Sequence, residues 1–569
     1  YRQTIFAYPR GGGAYIVARD NLGELPAQIA GAALLTDYIL TVAVSISSGV
    51  AQITSGFPDL LPYRVELAIG VIVFMTVVNL RGVRESGRVF AIPTYFFLGT
   101  TILMLIVGMV KLATGSLGTV EDIEVTTHHS VQGLTLFLIL RAFSSGCTAL
   151  TGVEAISNGI TAFKEPKSRN AATTLVWMSS IMIILLLGLT FLTHQVKALP
   201  NETETIFSQL GRTIFGEGST LYLAVLTATA LILLMAANTS YADFPRLAAL
   251  HAGDGFLPRQ LTYRGSRLVF SWGITGLAVC ASALVIVANA RTTALIPLYA
   301  IGVFLSFTMS QSGMVVRMWK VGKIPPGQVI QGRETSMTYD PHWWLKMGIS
   351  ALGAAVSGMV MIIFAVTKFR DGAWFVVVLI PTLVFIFFQI HYHYKRVAKA
   401  LSLEGVPVDT EPSNVHTLIL VDDVHAETVR LVNFAKSLRN PWHAVHIGVN
   451  PDKIDIVKAK WQKRIGEGEL VIIPSPYRLL AEPLREYIEE LQENDPGSFV
   501  HIIMGHLAMD TFWEQALHQN TAVIFNLALS RMERVAVTSV PYQIHDSEIR
   551  AAAHAHSDNE KRAEPTAVK

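Results

Sequence analysis

Leu34-Leu35-Thr36-Asp37-Tyr38-Ile39-Leu40-Thr41-Val42-Ala43-Val44-Ser45 is apolar over most of its length and yet carries an acid near its start. It lies inside an apolar window from about 27 to 55, longer than the roughly 20 residues that cross a bilayer. In a helix, Asp37, Thr41 and Ser45 fall at i, i+4 and i+8, so one face presents a carboxylate and two hydroxyls. A charge in hydrocarbon costs at least ~2.5 kcal/mol, which makes Asp37 a functional candidate by default. An all-oxygen stripe suits a hard cation such as K⁺ or Na⁺, or a proton relay. The hydroxyls alone would serve equally well to bond backward to carbonyls or to let helices pack closely.

Outward from this stretch, nine more apolar windows follow, at about 65–81, 88–112, 133–163, 171–194, 219–245, 270–289, 293–318, 345–368 and 372–392. The composition agrees: of 569 residues 51% are apolar and 15% charged, against about 25% charged in soluble domains, and mean hydropathy is +0.42. Those values exclude a soluble enzyme throughout and a disordered chain. Two cysteines, Cys147 and Cys280, are too few for a disulfide framework, and a net charge of +2 is no footprint for nucleic acid. Alternate loops hold fifteen Lys and Arg on one side, including Arg81, Arg84, Lys164, Lys167, Arg259, Arg267, Lys320 and Lys346, against seven on the other. The second set keeps company with Glu121, Asp122 and Glu124. The first side is therefore cytoplasmic, and with ten spans both ends of the chain lie there. Tyr1 to Tyr8 is too short to cross and runs into Pro9-Arg10-Gly11-Gly12-Gly13, a turn without the Lys-Ser/Thr of a phosphate loop. It is expected to be the end of a helix whose earlier part is not in this sequence, or else a short interfacial N-terminus.

The second intramembrane acid is Glu154, in Ser144-Ser145-Gly146-Cys147-Thr148-Ala149-Leu150-Thr151-Gly152-Val153-Glu154-Ala155. Its window is about 30 residues long, and Gly146 and Gly152 sit near the middle, so a tilted or broken helix is expected. A break would free carbonyls for a cation and aim a half-helix N-terminus into a cavity. Glu154 would then cap that second half, carry a proton, or pair with a neighbour in a close helix contact. Tyr299, after Pro297, would coordinate or gate, or serve as an interfacial aromatic. Asn238, Thr239 and Ser240 read as packing contacts, Arg141 as a snorkelling or paired cation, and His128, His129, His391 and His393 as solvated or interfacial.

After Lys395, Arg396 and Lys399 the pattern changes. Short β-branched runs at Thr417–Val421, Ala444–Val449, Leu470–Ile473, Val500–Met504 and Val535–Val540 alternate with helical stretches at Glu427–Leu438, Ile454–Arg464, Tyr477–Glu493 and Trp513–Leu529. That alternation predicts a parallel sheet covered by helices, with Asp422, Asp423 and Gly505-His506 at the strand ends where ligands bind. No catalytic triad or metal cluster shows itself, so the chain does not read as an enzyme. The division is 1–395 membrane domain, 396–414 linker, 415–546 α/β domain and 547–569 disordered tail.

Tyr8-Pro9-Arg10-Gly11-Gly12-Gly13-Ala14-Tyr15, the Asp37–Ser45 stretch, Phe143-Ser144-Ser145-Gly146-Cys147, Leu150-Thr151-Gly152-Val153-Glu154-Ala155-Ile156-Ser157-Asn158 and Ile296-Pro297-Leu298-Tyr299-Ala300 resemble KimA-type bacterial potassium permeases. These belong to the amino acid–polyamine–organocation (APC) superfamily. The resemblance implies an α-helical membrane protein of LeuT-like fold, with 5+5 inverted repeats and twelve spans. Span 1 and most of span 2 would then be lacking here, so this stretch would not transport by itself and the gene product would be longer. By the same resemblance Asp37, Thr41 and Ser45 lie on span three, Thr151 and Glu154 on broken span six and Tyr299 on span ten. They would line a K⁺ pathway with proton coupling, supported by Tyr38, Gly146 and Gly152. No cofactor is implied beyond K⁺ and H⁺ as transported ions. The resemblance also implies a multi-pass protein of the inner (plasma) membrane, lipid-embedded and homodimeric, inhibited by cyclic di-AMP. The cytoplasmic α/β domain resembles universal stress proteins. Many of these bind ATP through a glycine motif, G-x-x-G with a later Gly-Ser/Thr, that the sequence from Gly505 lacks. Two other readings remain: an amino-acid permease of the same superfamily, and a membrane sensor signalling through its cytoplasmic domain.

Overall fold

The computed structural model describes all residues except Arg10, Gly12, 83–86, 121–134, Glu202, 266–268, 405–412, Arg478, 510–520 and 545–569. The readings made above for Arg10, Gly12, Arg84, Glu121, Asp122, Glu124, His128, His129, Arg267, the start of the Trp513–Leu529 helix and the tail 547–569 fall outside the described residues. The chain divides into two compact units, Tyr1–Ser402 and Leu403–Lys569.

The first unit is helical: α1 (Arg2–Ala7), α2 (Ala14–Asn21), α3 (Glu24–Gly56), α4 (Arg64–Leu80), α5 (Gly87–Ala113), α6 (Leu136–Cys147), α7 (Ala155–Asn158), α8 (Lys167–Gln195), α9 (Ile206–Phe215), α10 (Thr220–Gly253), α11 (Ser271–Val287), α12 (Thr292–Gly322), α13 (Trp343–Thr367) and α14 (Trp374–Ala400). A two-stranded hairpin, β1 (Val329–Gln331) and β2 (Ser336–Thr338), joins α12 to α13. Among the described residues, nine helical segments are long and apolar enough to cross a membrane, where ten spans are expected. The tenth, α11, has 17 residues and reaches about 26 Å, short of a ~30 Å hydrocarbon core. It stops because Asn289 and Ala290 take positive φ, at 53° and 51°, and turn the chain back into α12.

Helix α3 is the axis of the bundle and is buried along most of its length against α10, α12 and α2. The outer helices expose apolar side chains such as Tyr95, Ile184, Leu187 and Val287. Exposure of that kind, with every backbone group satisfied inside a helix, fits a lipid surrounding and not water. The chain is a multi-pass membrane protein.

The second unit is a five-stranded, all-parallel sheet: β3 (Val415–Leu420), β4 (Trp442–Gly448), β5 (Leu470–Pro474), β6 (Phe499–Met509) and β7 (Val535–Ile544), in spatial order β5-β4-β3-β6-β7. Its helices are α15 (Ala426–Ser437), α16 (Pro451–Arg464), α17 (Ala481–Asn494) and α18 (Thr521–Leu529). The strands are apolar on both faces: Leu418, Val445, Val500 and Ile502 pack with Leu484 and Ile488, while Ile419, Ala444 and Ile503 pack with Leu431 and Trp461. Strand order reverses between β3 and β6. There Asp423 is tied to Lys460 at 2.8 Å, His506 Nδ1 to Ser539 at 2.7 Å, and the Glu427 carboxyl lies against Gly505.

Two half-buried histidines are expected to make the stability of this sheet depend on pH. His443 Nε2 meets the Tyr487 hydroxyl at 2.9 Å and His501 Nε2 the Thr538 hydroxyl at 2.7 Å. Burial pushes both imidazoles below their ordinary value of 6.5. As pH falls through that value the unfolded chain takes up protons that the folded sheet refuses, so stability present above it is lost. His501→Gln is expected to weaken this dependence, read as a smaller drop in thermal midpoint than wild type between about pH 7.5 and 5.5.

Candidate functional site

The expected break is present. Helix α6 ends at Cys147, a single 3₁₀ turn covers Thr148–Leu150, Thr151 is extended and Gly152 has φ +84°. Only glycine takes that φ without strain. A Cβ at 152 would meet nothing within 4 Å, so Gly152→Ala should cost only the backbone term, about 1–2 kcal/mol, visible as a lowered thermal midpoint in detergent. Gly146 lies inside α6 and shows neither positive φ nor a crowded neighbour.

The second half differs from expectation. Helix α7 is one turn of four residues, too short for a dipole to aim at an ion. Glu154 occupies its N-cap position but makes no side-chain cap bond. Its carboxyl, 5% exposed, turns instead toward α3 and α12. Ser306 Oγ donates to Glu154 Oε2 at 3.2 Å, and the Asp37 carboxyl interacts with Glu154 directly.

Asp37 is 4% exposed, and its Oδ1 has no hydrogen-bond partner. The Thr41 hydroxyl, one turn along α3, reaches the Asp37 carboxyl. The Tyr299 hydroxyl, from α12, lies near the hydroxyls of both Thr41 and Thr151, the latter donating to the Thr148 carbonyl at 2.9 Å. Close packing at Gly302 makes this possible, since a Cβ there would stand 3.2 Å from the Ala33 carbonyl and 3.8 Å from Asp37 Cβ. Tyr38 meets the end of α7, its hydroxyl accepting from Asn158 Nδ2 at 3.0 Å. Asp37, Thr41, Thr151, Glu154 and Tyr299 therefore converge, from parts of the chain more than 100 residues apart. Ser45 is buried on the same face of α3, one turn beyond Thr41 and about 12 Å along the helix from Asp37.

Two carboxyls in contact inside a membrane bundle cannot both keep a bare charge; a proton or a cation between them removes the repulsion. With three hydroxyls around them, the arrangement can hold a partly dehydrated cation on one carboxylate and a proton on the other. Two further residues belong to the cluster. Ser306 follows Tyr299 by seven residues on one face of α12, a spacing legible in the sequence. The Tyr1 hydroxyl lies against Glu154, which no pattern indicates.

The cytoplasmic end of the bundle is clamped by two arginines. Arg317 is buried and donates to the Tyr8 hydroxyl at 3.2 Å, to Asp20 Oδ2 at 3.4 Å and to the Ala7 and Ser336 carbonyls. Arg19, more open, pairs with Asp254 and Glu334, and the Tyr15 hydroxyl donates to Asp254 at 2.6 Å. Elsewhere Asn79 bonds Asn238 at 2.9 Å, His391 stacks on Phe256 and Arg141 pairs with Asp371 at 2.6 Å.

The family profile "Amino acid permease" matches residues 4–388, and "KimA potassium transporter C-terminal domain" matches 414–542. Over 553 residues the chain is 40% identical to "Potassium transporter KimA" of Bacillus subtilis (strain 168), covering 95% of this chain and 86% of that protein. The chain belongs to the KimA family. The family matches account for both units, a permease bundle and the α/β domain that follows it in the chain.

Proposed function

We propose that this protein takes up K⁺ by proton-coupled symport through alternating access. The carrying observation is the Asp37–Glu154 contact beside a helix break, ringed by the Thr41, Thr151 and Tyr299 hydroxyls. Oxygen donors with no cationic side chain among these five residues favour a monovalent cation as cargo. The Bacillus relative, named a potassium transporter, supports K⁺. The permease profile favours an amino acid as the second reading, but a substrate carboxylate would be repelled by two acids and find few donors. We assign a transport role and no chemical reaction. We further propose a homodimer inhibited by cyclic di-AMP, which light scattering and uptake assays with the nucleotide would test.

The test is growth of a potassium-uptake-deficient bacterium at low K⁺, carrying the full-length gene. Rescue is expected; no rescue together with labelled amino-acid uptake would promote the second reading. K⁺ uptake in proteoliposomes that ignores an imposed pH gradient would remove the proton.

A further inference from the structure

Ser306 Oγ stands in an unusual position, 3.2 Å from Glu154 Oε2 and 2.9 Å from the Val303 carbonyl. It is wholly buried, so no water shares its bonding. A hydroxyl has one proton and two acceptor lone pairs, and it can point that proton at only one of these two oxygens at a time. With Glu154 ionised, the charge draws the proton, because a bond to a carboxylate is about twice as strong as one to a neutral carbonyl. With Glu154 protonated, the acid itself donates to Ser306 Oγ, and the serine proton turns back to Val303. In either state every proton has an acceptor and the carboxyl keeps its place.

We propose that Ser306 is the positioning residue that lets Glu154 gain and lose its proton without moving or leaving a buried donor unpaired. The inference rests on the proton-coupled reading above. No proton passes to serine; the proton Glu154 releases goes to water, and only the hydroxyl rotates. The other titratable groups around Glu154 are Asp37 on α3, the Tyr1, Tyr38 and Tyr299 hydroxyls, and Asp243 on α10 at longer range. Asp37 repels a second charge, so a donor to Glu154 matters most when both acids are ionised.

The test is the pH dependence of K⁺ uptake by the full-length protein in proteoliposomes. Ser306→Ala removes a bond that favours the ionised acid, so the pH of half-maximal uptake should rise by about half a unit or more. Ser306→Thr, which keeps the hydroxyl, should restore it. Thr308→Val on the same helix, whose hydroxyl bonds Phe304 and Ser357 instead, should leave the midpoint at the wild-type value. A Ser306→Ala protein that is slower with an unchanged midpoint overturns the proposal, since a packing role would do that. If that variant does not fold, Ser306→Cys, a weak donor of similar size, must give an intermediate shift, and an unmoved midpoint overturns it equally. A wild-type protein without pH dependence sinks the coupled reading itself, a different outcome from a pH-dependent wild type with an unmoved variant.

Discussion

Asp37→Asn is expected to abolish growth rescue at low K⁺ and to lower K⁺ uptake in proteoliposomes at least about 100-fold. Asn keeps the size and one acceptor oxygen but removes the charge that offsets dehydration of the cation. Breaking one side of a buried charge pair costs ~3–5 kcal/mol, and each 1.4 kcal/mol is tenfold. Thr41→Ala removes a neutral hydroxyl worth ~1 kcal/mol, so a five- to tenfold loss is expected there. The order of the two effects is the point: a variant at 37 that transports like wild type would undo the site assignment, whatever happens at 41. Ser45 supplies the contrast on the same helix face. One turn further than Thr41 from the Asp37 carboxylate, Ser45→Ala should fall well short of the Thr41→Ala loss.

Arg317→Ala is expected to give the largest loss of stability. Arg317 and Asp20 are 5% and 4% exposed in their side chains, and the guanidinium also serves Tyr8 and two carbonyls. Its removal leaves Asp20 charged and buried, at a cost of ~3–5 kcal/mol. Arg19 offers the comparison. Its partners Asp254 and Glu334 are 26% and 28% exposed, so solvent screens the pairing and Arg19→Ala should cost ~1 kcal/mol or less. Thermal unfolding of the two variants in detergent separates the cases; equal shifts in midpoint would mean that burial does not govern this end of the bundle.

Much of this was legible from one dimension. Apolar runs and the distribution of Lys and Arg locate the spans and their direction, because hydrocarbon admits only helices with satisfied backbones and cations stay in the cytoplasm. The alternation after residue 400 announces the parallel sheet, since strands buried on both faces must be apolar throughout. The break at Gly152 shows in a cluster of small residues within an overlong window. Asp37 and Glu154 stand out individually because a charge at membrane depth has a cost that must be answered.

What answers it was not legible. That the two acids answer each other, with the Tyr299 hydroxyl beside Thr41 and Thr151, depends on α3 and α12 meeting at Gly302, a contact between residues over 250 positions apart. The same packing turns Glu154 away from capping α7 and toward Ser306. Periodicity tells which residues share a face of one helix, and hydropathy tells that the helix crosses. Only the tertiary structure decides which face meets which neighbour and at what height, because a close approach is set by the sizes of side chains on two helices together.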